Sequence, residues 1–293
     1  MEYKSGFVSV VGRPNVGKST LVNKIIGEKI SIISAKPQTT RHRLKMIYTS
    51  DRGQIIFVDT PGVHKPQNEL DKYMLDELYD GLKDVDLILF LVDAGFGYGK
   101  GDQFIFEKIK KSGVSFIPVM NKIDILDEKV LAKRKKDYER NINEKVITIS
   151  AQQNLSIDKL ITKIFSELPS GPQYYPEDMI TDQIERFIVQ EFIREKIFLL
   201  TRDEIPYGCA VIIEDMTERE NNDYFIRASI YVEKKSHKGI IIGKNGKMIK
   251  EIGRQARKDI EKLLQEKVYL DLWVKIEKKW RQKEHLVKRM GYK

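Results

Sequence analysis

The segment Gly12-Arg13-Pro14-Asn15-Val16-Gly17-Lys18-Ser19 constrains this chain more than any other stretch, because it suits one local geometry. It follows the apolar run FVSVVG (7–12) and precedes a helical pattern over 18–27. Glycines at both ends let backbone N–H groups converge, and the start of the helix adds partial positive charge at the same point. A phosphate fits there. Lys18 can reach its outer oxygens, and the hydroxyl of Ser19, beside Thr20, can ligate Mg²⁺.

A strand–loop–helix start of this kind opens a parallel α/β sheet, and the next 150 residues keep that rhythm. Strands are expected at 7–12, 54–59, 87–93, 114–121 and 145–150, most of them apolar almost throughout, as strands buried on both faces are. A further strand, at the sheet edge, is expected at 44–50. Helices are expected at 18–27, 69–83, 102–112, 128–140 and 156–167. PSGPQYYPED (169–178) then interrupts both periodicities with three prolines and a glycine, which places a domain boundary there. The expected division is a domain over 1–170, a linker over 171–181 and a second domain over 182–293.

Three further motifs lie along the strand ends. Asp59-Thr60-Pro61-Gly62 closes one strand, where Asp59 can hold a Mg²⁺-bound water and the Gly62 N–H can meet a γ-phosphate. Asn121-Lys122-Ile123-Asp124 closes another, and the Asp124 carboxylate can accept from both guanine N1–H and the exocyclic amine. Adenine offers neither donor and would leave that carboxylate unpaired, a difference of roughly 10⁴–10⁵ in recognition. Asn121 would support the loop and the base, and the Lys122 stem would cover the base's face. Ser150-Ala151-Gln152 follows the next strand, with the Ala151 N–H able to donate to guanine O6. Between the first two motifs lies Lys36-Pro37-Gln38-Thr39-Thr40-Arg41, irregular and without apolar period. A hydroxyl from this loop can complete a Mg²⁺ shell only while a γ-phosphate is present, so both loops are candidate order–disorder switches.

Charge separates the second half from the first. The formal net charge is +9, but residues 176–233 carry −8 and residues 234–293 carry +12. Positive charge concentrated in a folded segment is the footprint of a nucleic-acid face. The periodicity from 182 onward reads helix, strand, strand, short helix, glycine turn, long helix (246–264), strand, basic tail. Lys238, Ile241, Gly243, Lys244, Asn245, Gly246 and Lys247 surround the turn. Its glycines admit a nucleic-acid backbone, Lys244 and Lys247 can meet phosphates, and Ile241 with Ile249 would frame a groove for bases. Arg254, Arg257 and Lys258 read as a solvated helix face, and Trp273 and Trp280 as buried against the sheet and tail. Tyr174 and Tyr175 read as domain-packing residues. Cys209 reads as core, and a single cysteine excludes an internal disulfide. No signal peptide is expected ahead of the first strand, and a cytoplasmic location follows.

Taken together, GRPNVGKS, QTTR, DTPG, NKID and SAQ resemble the translation-factor-related GTPases, and within them the Era-type bacterial GTPases, across the whole chain. The fold implied is α/β: a P-loop GTPase domain with a mostly parallel sheet, then a smaller α+β domain like the type II KH fold. The resemblance assigns the switch threonine to Thr40 and makes Lys18, Thr40 and Gly62 the catalytic set, with Ser19, Thr40 and, through water, Asp59 on Mg²⁺. It implies binding and slow hydrolysis of GTP to GDP, since Val63 stands where Ras-like proteins place a water-orienting glutamine. Asn15 resembles an asparagine that supports a monovalent cation, so K⁺ assistance is a hypothesis. The RNA implied is the single-stranded 3′ end of 16S ribosomal RNA, with a role in assembling the small (30S) subunit and a monomeric state by default. Two alternatives stay open. One is a constitutive RNA-binding protein that senses nucleotide, and the other a membrane-surface GTPase held weakly at the inner face by the basic tail helix.

Overall fold

The computed structural model describes residues 2–32, 36, 38–62, 66–220 and 223–293. Two compact units emerge, Met1–Lys65 with Met74–Asp182, and Pro66–Tyr73 with Gln183–Lys293.

The first unit is built on six strands: β1 (Lys4–Val11), β2 (Leu44–Ser50), β3 (Gly53–Asp59), β4 (Leu87–Asp93), β5 (Phe116–Asn121) and the short β6 (Ile147–Thr148). Their order is β2-β3-β1-β4-β5-β6, all parallel except the edge strand β2, which runs antiparallel to β3. Every residue of β3 and β4 is buried, as a sheet covered on both faces requires. Helices α1 (Lys18–Ile26), α2 (Glu69–Gly81), α3 (Lys100–Ser112), α4 (Glu128–Ile142) and α5 (Ile157–Glu167) supply the connections. Strand alternation sends Val8, Val10, Leu87, Leu89 and Leu91 into one core with Leu160 and Ile164 of α5, and Ile88, Phe90 and Val92 into another with Ile105 and Ile109 of α3. The parallel strands all end on the same side, so the glycine loop and the base-recognition motifs meet along one rim.

The proline-rich segment read as a linker is bonded to this unit. Ser5 N–H donates to Pro169 O (3.2 Å), Gly171 N–H to Tyr3 O (3.2 Å) and Ile47 N–H to Ile180 O (2.9 Å). Buried Gln54 accepts from the N–H groups of both Tyr174 and Tyr175 (3.0 Å each), and the Tyr174 ring lies 5.3 Å from Phe7. Tyr174 therefore packs within the first unit, unlike the domain-packing role expected of it.

The second unit runs α6 (Glu185–Leu200), β7 (Ala210–Glu218), β8 (Tyr224–Val232), α7 (Lys235–Ile242), α8 (Lys247–Leu264), β9 (Val268–Ile276) and α9 (Glu284–Arg289). The sheet order is β7-β8-β9, with β7/β8 antiparallel and β8/β9 parallel. Inward residues Ile226, Ala228 and Ile230 of β8 are wholly buried, as are Val189, Ile193 and Ile197 of α6 and Ile252, Ala256 and Ile260 of α8. Cys209 is buried, as expected, and so is Trp280, whose indole N–H donates to Gly208 O (2.9 Å). Trp273 departs from expectation. It is 57% exposed, because it pairs across the sheet with Ser229 on the strand face turned away from the inward residues.

Candidate functional site

The residues between β1 and α1 form the floor of a cleft of about 680 Å³ lined by residues 13–20, with Thr40, Gly62, Asp93 and Lys122. Glycine is required at both ends of the loop. A Cβ on Gly12 would stand 2.3 Å from Leu91 O, and one on Gly17, at φ +99°, would stand 2.3 Å from Asn121 Nδ2. Asn15 also adopts a positive φ (66°). Gly62 lies against the loop, since a Cβ there would be 2.9 Å from Pro14 Cα.

Lys18 is buried and donates to Gly12 O and Arg13 O (3.2 Å each). Desolvation pushes its ammonium down to about 8, while Asp59 pulls it back up. The same burial raises the Asp59 carboxyl, against the opposing pull of Lys18, Ser19 and Ser31. Ser19 Oγ donates to Asp59 Oδ2 (2.7 Å) and lies 3.0 Å from Thr40 Oγ1, so the three expected metal ligands converge. Asp59 Oδ1 is buried with no hydrogen-bond partner among the described residues. Two hydroxyls and a carboxylate with an idle oxygen make an oxygen-only donor set, which fits a hard divalent cation.

Asn121 ties the phosphate-loop motif to the segment after β6. Its amide donates to Val16 O in the phosphate loop (2.9 Å), while its oxygen accepts from Ala151 N–H (2.9 Å). The Ala151 N–H, expected to donate to guanine O6, is the donor in that second bond. Ser150 is buried beside it, and its hydroxyl oxygen accepts from Gln153 N–H (3.1 Å). Lys122 lies across the loop, donating to Asn15 O and to Asp93 Oδ2 (2.6 Å each). Asp124 is exposed just beyond, in a single 3₁₀ turn. Asp93 escaped the sequence reading, as did two other contacts. Ser31 donates to Asp59 (2.8 Å), and fully buried Asp102 holds the Arg13 guanidinium at 3.0 Å. Val63, Pro37 and His64, the last a histidine after DTPG expected to lie on the surface of the switch loop rather than to act as a catalytic base, lie outside the described residues.

In the second unit, Gly243 (φ 72°, ψ 170°) and Gly246 (φ 75°, ψ 12°) bracket an exposed turn carrying Lys244 and Asn245. A Cβ on Gly246 would meet nothing within 4 Å, which leaves the turn open to another backbone. Lys247 is exposed at the start of α8, and Lys238 is half-buried on α7. Beside the turn runs a groove of about 310 Å³ between α8 and β9, lined by Ile249, Gly253, Arg254, Arg257, Leu270 and Leu272. Ile249 frames it, as expected. Ile241 is wholly buried instead, because the helical period of α7 turns it inward and its neighbour Ile240 outward. Arg254 and Arg257, read as solvated face, line the groove. The leucines were missed because they come from a strand distant in sequence.

Phosphate and base loops joined by one amide, on the rim of a sheet in this order, are the arrangement of a P-loop GTPase; a GxxG turn beside an apolar, arginine-edged groove is that of a KH domain. Residues 7–122 match the family described as a 50S ribosome-binding GTPase, and residues 204–281 match the KH domain. GTPase Era of Halothermothrix orenii is 61% identical over all of both chains, and that of Alkaliphilus metalliredigens 51%. Two solved Era structures each cover 99% of both chains at 39% identity. One, from Aquifex aeolicus, is a variant bound to GDP and aluminium fluoride, with a TM-score of 0.95. The other is in complex with MgGDPNP and nucleotides 1506–1542 of 16S ribosomal RNA, with a TM-score of 0.96. The chain belongs to the GTPase Era family, and it is a GTPase carrying a KH RNA-binding domain.

Proposed function

We propose that this chain is a GTP-gated switch that grips the single-stranded 3′ end of 16S ribosomal RNA and assists assembly of the small (30S) ribosomal subunit in the cytoplasm. One observation carries the reading: the open turn at Gly243–Gly246 and the assembled nucleotide cleft occur on one chain, which aligns end to end with a relative solved holding both ligands. That relative bears 16S RNA, which favours the small subunit over the large one named in the wider family's description.

In this reading residues 1–170 form the GTPase domain, 171–181 the connection and 182–293 the KH domain. Ser19 and Thr40 would hold Mg²⁺ directly and Asp59 through water, and the ion would neutralise charge on the β- and γ-phosphate oxygens. Lys18 would leave the carbonyls of Gly12 and Arg13 for those oxygens, and the Gly62 N–H would sense the γ-phosphate. Asp124 would select guanine. Hydrolysis would be slow, since Val63 cannot orient water, and K⁺ held near Asn15 would assist it; equal rates in Na⁺ and K⁺ at matched ionic strength would remove the K⁺ role. The chain would act as a monomer, and the inner membrane face would be at most a weak, salt-sensitive station for its basic tail.

The test is RNA affinity in the presence of a non-hydrolysable GTP analogue against GDP. A difference between the two supports gating. Equal affinities replace it with the second reading, a constitutive RNA binder with a nucleotide-sensing site.

A further inference from the structure

Helix α4, whose first turn begins four residues after Asp124, carries a line of cations that its own stability argues against. Asp127 caps it, accepting from Val130 N–H (2.9 Å), and only Tyr138 and Ile142 are buried. At 3.6 residues per turn, Lys129, Lys133, Lys136 and Arg140 fall within about 60° of arc, opposite Tyr138. All four are exposed. They succeed one another at i+4, i+3 and i+4, the spacings at which like charges on a helix repel by about 0.2–0.5 kcal/mol a pair.

Several cations on or just past other helices meet an acid at those spacings. Lys72 meets Glu69, Lys83 meets Asp80, Arg254 meets Glu251 and Lys288 meets Glu284. Along the α4 line only Arg140 has such a partner, Asp137 (3.3 Å). Lys129, Lys133 and Lys136 make no ion pair within 4.0 Å among the described residues. Asp137, at the right distance from Lys133, also serves Asn141 and the N–H of Tyr98, and Glu139 serves Lys135 and the N–H of Val146. A row of unneutralised charges about 16 Å long, one per turn, lowers helix stability unless a row of anions lies against it.

We infer that the exposed α4 face is a second RNA contact, on the GTPase unit itself, that takes the phosphodiester backbone of ribosomal RNA through Lys129, Lys133, Lys136 and Arg140. The inference rests on the RNA-binding reading above and extends it, since the KH turn would read bases while α4 reads only charge. Because α4 continues directly from the guanine-recognition loop, RNA on this face would also share an element with bound nucleotide.

The experiment uses the full chain and full-length 16S ribosomal RNA, with affinity measured across a range of salt. The variant is K129Q/K133Q/K136Q; the charge-matched control is K108Q/K110Q/K111Q on α3. Each phosphate contact contributes about 0.7–0.9 to the slope of log affinity against log salt. The α4 variant should therefore lose about 2–3 units of slope, so that between 50 and 200 mM salt the parent loses roughly 20- to 40-fold more affinity than the variant. GDP affinity should stay at the parental value, which verifies the fold. A parental slope in the variant, or an equal loss in the control, overturns the inference. So does an α4 variant that keeps RNA binding but no longer sediments with phosphatidylglycerol vesicles, an outcome that assigns the face to lipid. Failure of the parent to bind the RNA at all would instead sink the RNA-binding reading itself.

Discussion

The two glycines of the KH turn occupy unlike environments, so the same substitution should do different things at each. At Gly243, φ 72° and ψ 170° fall in a region almost confined to glycine, which costs another residue about 1–3 kcal/mol. A Cβ there would also stand 2.6 Å from Met248 Cβ and 2.8 Å from its backbone nitrogen. Overpacking of that kind adds about 1–3 kcal/mol, so Gly243→Ala should destabilise the unit by about 2–6 kcal/mol. At Gly246 the left-handed conformation costs alanine about 1–2 kcal/mol, and the new methyl meets no protein atom within 4 Å. Its methyl would instead occupy the space left for an RNA backbone. The assay is urea unfolding followed by tryptophan fluorescence, because both tryptophans, buried Trp280 and exposed Trp273, report on this unit alone. With a slope of about 1–3 kcal/mol per molar urea, Gly246→Ala should lower the midpoint by about 0.3–2 M, and Gly243→Ala by about two to three times as much, taking the centre of each range. At a urea-free condition where Gly246→Ala is folded, its affinity for single-stranded RNA should fall about tenfold or more, the equivalent of about 1.4 kcal/mol. Equal midpoints for the two variants, or parental RNA affinity in Gly246→Ala, would refute this account.

Asp124→Asn should weaken GTP binding by at least about a hundredfold and gain xanthosine triphosphate, whose second carbonyl can accept from the new amide; competition binding with the two nucleotides measures it. Asp93→Ala removes the acid that holds Lys122, and GDP dissociation measured by stopped flow should accelerate about tenfold. Trp280→Phe leaves Gly208 O buried without its donor and should cost about 1–3 kcal/mol in urea unfolding, with nucleotide affinity unchanged. Chelation of Mg²⁺ should halt phosphate release while GDP still binds, because Asn121, Lys122 and Asp124 are not among the groups expected to hold the ion.

Much of this was readable in the sequence for definite reasons. β3 and β4 are buried on both faces, so their residues are almost all apolar and their limits follow from composition. The phosphate loop and NKID were legible because their chemistry is local. What escaped is what pairs across distance. Asp93 finds Lys122 and Asp102 finds Arg13 only once β4, α3 and β5 are arranged beside the loop. The segment after Leu168 is bonded through backbone groups, which leave no trace in side-chain pattern, so its prolines suggested a free linker. Trp273 and Trp280 are the same residue type a few positions apart, but strand register turns the Trp273 ring outward, whereas Trp280 lies in a 3₁₀ turn beyond β9 and is buried through its contacts with Gly208 and Tyr292. The KH groove was half legible: Ile249 lies next to the glycine turn in sequence, whereas Leu270 and Leu272 arrive from the far strand.

The bridge made by Asn121 also changes how the nucleotide should be regarded as a ligand. With one amide bonded at once to Val16 and Ala151, the loop expected to hold phosphate and the loop expected to face the base are not independent half-sites. A nucleotide would then meet the two loops as one receptor, so that a displacement of either loop is felt at the other. Guanosine without phosphates and pyrophosphate without a base should each bind far more weakly than half the free energy of GDP would suggest. Selection for guanine would then be exerted on the whole molecule, because one amide straps the two loops together.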